Sequence, residues 1–132
     1  MEKPPRATGL ILCKRTTAEP SPRGISLVGI FNYLSFRTWP TPFLRFSVNA
    51  VLQDGAGEGI MSLNVIRIAG EKDAYRYQRW FVWPASMPAL FLEIPVRRCC
   101  FPDPGRYLFS LRFDEVEVAR RHLEVMTKRG KS

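Results

Sequence analysis

The chain has 132 residues, 45% of them hydrophobic, and a formal net charge of +8. A chain of this length forms one domain and buries about two-thirds of its unfolded surface, so its core needs neither disulfides nor a metal. No apolar run approaches the roughly 18 residues of a membrane span. The first residues also carry charges and prolines where an export signal is apolar. We therefore expect a basic, cytoplasmic protein with no membrane partner.

Residues 1–7 (MEKPPRA) are polar and contain two adjacent prolines. This composition does not pack into a core, so we predict a flexible N-terminal arm. A single β-sandwich domain is expected over residues 8–127, followed by a basic tail over residues 128–132.

From residue 8 onward, short apolar runs alternate with glycine and proline clusters, a spacing typical of an all-β sandwich. The eight runs predicted as strands are residues 10–14, 25–34, 44–53, 59–69, 75–83, 89–96, 106–113 and 116–126. In three of them, 44–53, 89–96 and 106–113, apolar residues recur at every second position, which predicts strands with one buried face. The predicted fold is an immunoglobulin-like antiparallel β-sandwich of about eight strands.

Two runs change phase along their length. In residues 59–69 the change predicts either a β-bulge near Val65 or a stretch covered on both faces. In residues 116–126 the spacing fits either a helix or a strand that changes phase around Arg120. A bulged strand is favoured because no N-cap residue opens a helix there.

The segments between the runs are predicted as turns and connections. Residues 54–57 and 70–73 include residues that tolerate positive φ, so both are expected to close hairpins between successive strands. Prolines at 40, 42, 84 and 88 have no N–H for a central strand, so 35–43 and 84–88 are expected as connections.

Residues 103–107 (DPGRY) place a Pro-Gly turn before a strand whose second residue is Tyr107. The D-x-G-x-Y spacing resembles the tyrosine corner of immunoglobulin-like sandwiches, in which the phenol bonds to backbone near the bend. We expect Tyr107 to be buried, with its hydroxyl bonded to that backbone.

The cysteines and glycines predict no cofactor and no metal. Cys13, Cys99 and Cys100 are an odd number and are expected as free thiols. A zinc site needs four ligands, but the chain has one histidine, and no glycine loop is followed by Lys-Ser or Lys-Thr for phosphate binding. No catalytic residue is assigned. The enzymatic alternative is a nucleophile at Cys99 or Cys100 paired with His122.

Four aromatic residues are the candidate interaction residues. Trp39 and Phe43 lie in the proline-rich connection, where they either contact a partner or plug the open end of the sandwich. Trp80 and Trp83 fall on opposite faces of their strand by alternation, so one of the two is expected to be exposed. Exposed aromatics beside prolines supply apolar contact area at low entropic cost.

The positive charge lies toward the two ends of the chain, in the doublets 97–98 and 120–121 and in the tail. A clustered basic face would bind phosphates, so a basic nucleic-acid-binding domain is an alternative function. The favoured function is a noncatalytic interaction module that contacts another protein or self-associates.

The segments 10–13 (LILC) and 24–34 (GISLVGIFNYL), with the later PGRY at 104–107, resemble a family of small uncharacterised bacterial β-sandwich proteins. The resemblance covers most of residues 8–126. It implies the fold alone, because no catalytic residue, cofactor or binding site is assigned to that family. This chain differs in having Lys14 where the family often has an acidic residue.

Overall fold

The computed structural model describes residues 1–20 and 23–129, most of them in β-strands. The strands are β1 (Arg6–Ala7), β2 (Ile11–Pro20), β3 (Arg23–Ile30), β4 (Tyr33–Phe36), β5 (Leu44–Gln53), β6 (Glu58–Arg67), β7 (Lys72–Val82), β8 (Ala89–Cys99), β9 (Gly105–Phe113) and β10 (Val116–Thr127). A short 3-10 turn, Ala69–Glu71, joins β6 to β7. Among the described residues, no helix has the length and apolar character to cross a membrane.

The strands form two sheets. In sheet I, β5 pairs with β8 along one edge and with β1 and β2 along the other, and β3 lies outside β2. Sheet II has the order β4-β10-β9-β6-β7. The prediction of an all-β sandwich is confirmed, with ten described strands where about eight were predicted. The fully antiparallel sheet was wrong in one place, because β4 pairs with β10 in parallel.

The core lies between the inner faces of the two sheets and follows the predicted alternation. Phe46 and Val48 from β5 and Phe109 and Leu111 from β9 belong to one buried cluster. The rings of Phe46 and Phe109, which come from opposite sheets, lie 6.1 Å apart. Burial of each such side chain contributes about 1.5–3 kcal/mol, so this cluster accounts for much of the force that holds the sheets together.

Both predicted phase changes are bulges. The register between β6 and β7 shifts between Val65 and Ile66. The register between β10 and β9 shifts between Glu117 and Ala119. The segment 116–126 is therefore a bulged strand, as favoured from sequence, and the helical alternative is wrong.

Of the two predicted hairpins, one forms. Residues 70–73 lie at the reversal between β6 and β7, which pair antiparallel. The hairpin predicted at 54–57 was wrong, because β5 is in sheet I and β6 is in sheet II. Asp54 and Gly57 do have positive φ, 59° and 86°. Such residues reverse the chain equally well within a sheet or between sheets, so the local sequence does not distinguish the two.

The run predicted over residues 25–34 is two strands in different sheets. β3 ends at Ile30, and Phe31 and Asn32 carry the chain across to β4 in sheet II. The predicted connection at 35–43 consequently begins only after Phe36, whereas 84–88 is a connection as predicted.

The N-terminal residues 1–7, expected as a flexible arm, lie along the sandwich in the structure. Lys3 forms a bridge with Ala56, and β1 pairs with the end of β5. The ammonium group of Met1 forms an ion pair with Asp114. The arm is held by backbone pairing, which its composition does not reveal. Of the predicted basic tail, residues 130–132 lie outside the described residues.

Tyr107 occupies a tyrosine corner, as predicted. Its side chain is fully buried, and its hydroxyl donates a hydrogen bond of 2.6 Å to the Asp103 carbonyl. The ring packs edge-on against Phe101, with 4.8 Å between the centroids. This contact fixes the bend between β8 and β9.

Candidate interaction surface

The two tryptophans of the fifth predicted run separate as alternation requires. Trp83 is 7% exposed, and its indole N–H donates to the Met87 carbonyl at 3.0 Å. Trp80 is 59% exposed. Trp83 is therefore a core residue, and Trp80 is the one available to a partner.

The two aromatics of the proline-rich connection also differ in their environment. Trp39 is half-buried, packs against the core cluster and lies edge-on to Phe36, with 5.9 Å between the centroids. Phe43 is 62% exposed, and the Arg98 guanidinium lies 4.7 Å from its ring centroid. Trp39 thus acts as a partial plug, as in the second alternative from sequence, while Phe43 is on the surface.

Phe43 and Trp80 do not form one site. Phe43 immediately precedes β5 in sheet I, whereas Trp80 is on β7 in sheet II. The structure brings Trp80 instead beside Ile60, its register partner on β6. Val82 lies two residues further along the same face of β7, and all three side chains are exposed. We call Ile60, Trp80 and Val82 the β7 patch.

Sequence reasoning missed Ile60 and Val82. Ile60 is out of phase with Met61 and Leu63, which are buried. An apolar residue in the solvent-facing phase of a strand was the available signal, and contiguous exposed apolar residues mark contact surfaces more often than isolated ones.

The β7 patch adjoins a free strand edge. In the described part of the chain, β7 is the last strand of sheet II and pairs with β6 alone. Its eleven residues leave one row of backbone N–H and C=O groups available for another strand. By comparison, β4 has four residues, and the edge strand β8 contains Pro95. Short length and proline both hinder strand addition, and β7 has neither.

The cations of β7 are mostly engaged within the chain. Lys72 forms an ion pair with Asp103, and Arg76 forms a longer one with Asp73. The Arg79 guanidinium lies 5.9 Å from the ring of Phe81. Repulsion between this edge and another basic chain is therefore reduced.

The structure does not bring together the residues of the enzymatic alternative. Cys99 is fully buried, and burial raises the pKa of its thiol to about 12, so the thiol is protonated near neutral pH. His122 is exposed on β10 opposite Leu108, in the other sheet. The Cys100 thiol donates to the Thr41 carbonyl at 3.2 Å. The described residues contain no group of three side chains that could hold a metal.

The arginine doublets predicted for phosphate binding lie in different sheets. Arg97 and Arg98 are on β8, whereas Arg120 and Arg121 are on β10. Arg120 forms an ion pair with Glu117, and Arg121 donates to the Leu10 carbonyl at 3.0 Å. They do not form a single basic face.

Comparison with known proteins identifies the family. No curated protein matches the chain. The model of a family of unknown function (DUF6941) matches residues 9–126. The expected resemblance to an uncharacterised domain is thereby confirmed. Since the match extends from before β2 almost to the end of β10, the chain belongs to this family of unknown function.

Proposed function

We propose that the protein is a noncatalytic interaction module that self-associates through the free edge of β7 and the adjoining β7 patch. The observation that supports this proposal is the combination of an eleven-residue open edge with an exposed tryptophan on the same strand. An extended strand added to such an edge gains main-chain hydrogen bonds, and flanking side chains add apolar contact.

Two copies can meet at this edge through a twofold axis. The same surface then serves both partners, so one antiparallel pairing of β7 with its copy extends sheet II across the dimer. Trp80 and Val82 cover the joint on the outer face. Burial of an exposed tryptophan removes a large apolar surface from water, which is why tryptophans dominate many contact surfaces.

Sedimentation equilibrium at roughly micromolar to millimolar protein concentration tests this proposal. We expect the wild type to dimerise and Trp80→Lys to remain monomeric, because a charged side chain replaces the apolar contact. Phe43→Ala is the matched control, since Phe43 is an equally exposed aromatic residue in the other sheet. Its dimerisation should equal that of the wild type. A wild type that remains monomeric throughout, or a Trp80→Lys protein that dimerises normally, contradicts the proposal.

We further propose that the sandwich is immunoglobulin-like. Three observations support this: β5 pairs with β8, the other sheet contains the order β10-β9-β6, and a tyrosine corner precedes β9. These correspond to the B–E pair, the G–F–C order and the E–F corner of that fold. A cytoplasmic setting is also proposed, and the three free thiols support a reducing compartment.

A further inference from the structure

An apolar cleft of about 320 Å³ opens between sheet I and sheet II, on the side of the sandwich where β4 lies. Its walls and floor are aromatic and aliphatic, and two cations stand at its rim. The lining residues are Phe31, Leu34, Phe36, Leu44 and Phe46, with Lys14 and Arg45 at the rim. The volume falls at the lower end of the range of small-molecule pockets, about 300–1,000 Å³.

The strand topology creates this opening. β2 pairs with β5 only from Ile11 to Cys13, and beyond that point β2 continues with β3 alone. The chain then crosses to the other sheet at Phe31 and Asn32. The two sheets are therefore not closed against each other here, and the cleft lies beneath the crossing.

The floor of the cleft is fixed by the core. Phe46 is 5% exposed, and its ring lies edge-on to Phe31 with 5.6 Å between the centroids. On its other side it contacts Phe109 across the core. A floor held from both sides does not collapse to fill the cleft, so the cavity is formed before a ligand arrives.

Lys14 is held at the rim by its own stem. A Cβ atom at Gly29 would come within 2.9 Å of the Cγ and Cδ atoms of Lys14, so only glycine lets the stem pack this closely. Gly29 also has a φ of +72°, which glycine adopts without strain. The aliphatic part of Lys14 therefore lies on the backbone of β3.

The rim cations have no carboxylate partner. Among the described residues, neither Lys14 nor Arg45 takes part in an ion pair. A second depression of about 360 Å³ on sheet I shares Lys14, Arg45 and Phe46 with the cleft and adds Arg15 and Arg97. An anion at the rim would thus meet uncompensated positive charge.

The depression contains one carboxylate, which is already engaged. Glu93 accepts hydrogen bonds from Thr16 and, at 3.3 Å, from Ser47. The neighbourhood of the cleft remains basic, with four cations against this single acid.

We propose that the cleft binds a single-chain anionic amphiphile, with its acyl tail on Phe46 and its carboxylate between Lys14 and Arg45. The apolar walls exclude a ligand that is charged throughout. The unpaired cations favour a negative head group over a neutral or positive one, because charge-assisted hydrogen bonds are the strongest available at the rim. A nucleic acid would use the cations but leave the aromatic cleft empty.

Calorimetric titration of the full chain with decanoate, decanol, butyrate and decyltrimethylammonium, all below their micellar concentrations, tests the proposal. We expect decanoate to bind about tenfold more tightly than decanol, the effect of one favourable charged contact of about 1.4 kcal/mol. Butyrate lacks the tail and decyltrimethylammonium has the wrong charge, so neither should bind measurably.

Two variants separate the head-group contact from the tail contact. Lys14→Ala combined with Arg45→Ala should weaken decanoate binding about tenfold and leave decanol binding unchanged. Leu34→Trp fills the cleft and should abolish binding of both. Arg79→Ala is the matched control, because it removes an exposed cation on β7, away from the cleft, and should bind decanoate as the wild type does. Thermal unfolding of each variant verifies that it is folded.

Several results would overturn the proposal. Equal affinity for decanoate and decanol removes the role of the cations, and full binding by Leu34→Trp removes the role of the cleft. Binding of oligothymidylate without binding of decanoate would instead assign the cations to nucleic acid. Binding to phosphatidylglycerol vesicles without binding of monomeric decanoate would assign them to a membrane surface. Trp80→Lys should bind decanoate normally, so this test is independent of self-association.

Discussion

Replacement of Tyr107 by phenylalanine removes one hydroxyl and keeps the buried ring. The lost contact is the 2.6 Å hydrogen bond to the Asp103 carbonyl. A hydrogen bond of this kind contributes about 0.5–1.5 kcal/mol net, because the unfolded chain bonds to water instead. The Asp103 side of the bend is partly exposed, so water can reach the freed carbonyl. We therefore expect a loss of about 1 kcal/mol.

This loss converts into a measurable change in melting temperature. With an unfolding entropy of about 2.1 cal/mol/K per residue, a chain of 132 residues changes its melting temperature by about 4 °C per kcal/mol. Urea titration followed by tryptophan fluorescence should show a lower midpoint with an unchanged slope.

Tyr33→Phe is the control for this measurement. Tyr33 is 61% exposed on β4, so its hydroxyl is hydrated in both states, and the stability should change by less than about 0.5 kcal/mol. Equal stability of Tyr107→Phe and the wild type would show that the tyrosine corner does not stabilise the bend, and would refute the reasoning.

Three further changes test the core and its titration. Phe109→Ala should lower the free energy of unfolding by about 3–5 kcal/mol, measured by urea titration, because it leaves a cavity between the sheets; a loss below about 1 kcal/mol would contradict the central position of Phe109. Trp39→Ala should lower stability by about 2 kcal/mol and leave dimerisation unchanged, since the indole is half-buried against the core; weakened dimerisation with unchanged stability would make Trp39 a contact residue. The pKa of Cys99 is raised from 9.0 to about 12, so the folded state holds its proton more tightly than the unfolded state. The free energy of unfolding should therefore fall as pH rises from 9 toward 12, and Cys99→Ala should show less of this fall; an identical pH dependence in both proteins would contradict the shift.

The strands could be predicted from sequence wherever one face is buried and the other is wet. β5, β8 and β9 alternate apolar and polar residues, and the same alternation separated Trp80 from Trp83. The bond of Tyr107 could be predicted because a tyrosine corner depends on residues close together in sequence.

The assignment of strands to sheets could not be predicted. Residues 25–34 form a continuous apolar run, and the crossing at Phe31 and Asn32 carries no proline or glycine to mark it. Similarly, the cleft lined by Lys14, Leu34 and Arg45 depends on segments from three strands. Its residues come together through pairing between distant parts of the chain, which local pattern does not encode.

The parallel pairing of β4 with β10 has a consequence for folding during synthesis. Tyr33 lies opposite Glu124 in this pair, so a segment from the first third of the chain waits for the final strand. While the last residues are still inside the ribosome, β4 has no backbone partner and the aromatic side chains around it remain accessible to water. Pairing over such a sequence distance slows folding, because the entropy of loop closure is lost before contacts compensate for it. Nascent chains that stall shortly before residue 116 should therefore be especially prone to capture by chaperones and to aggregation.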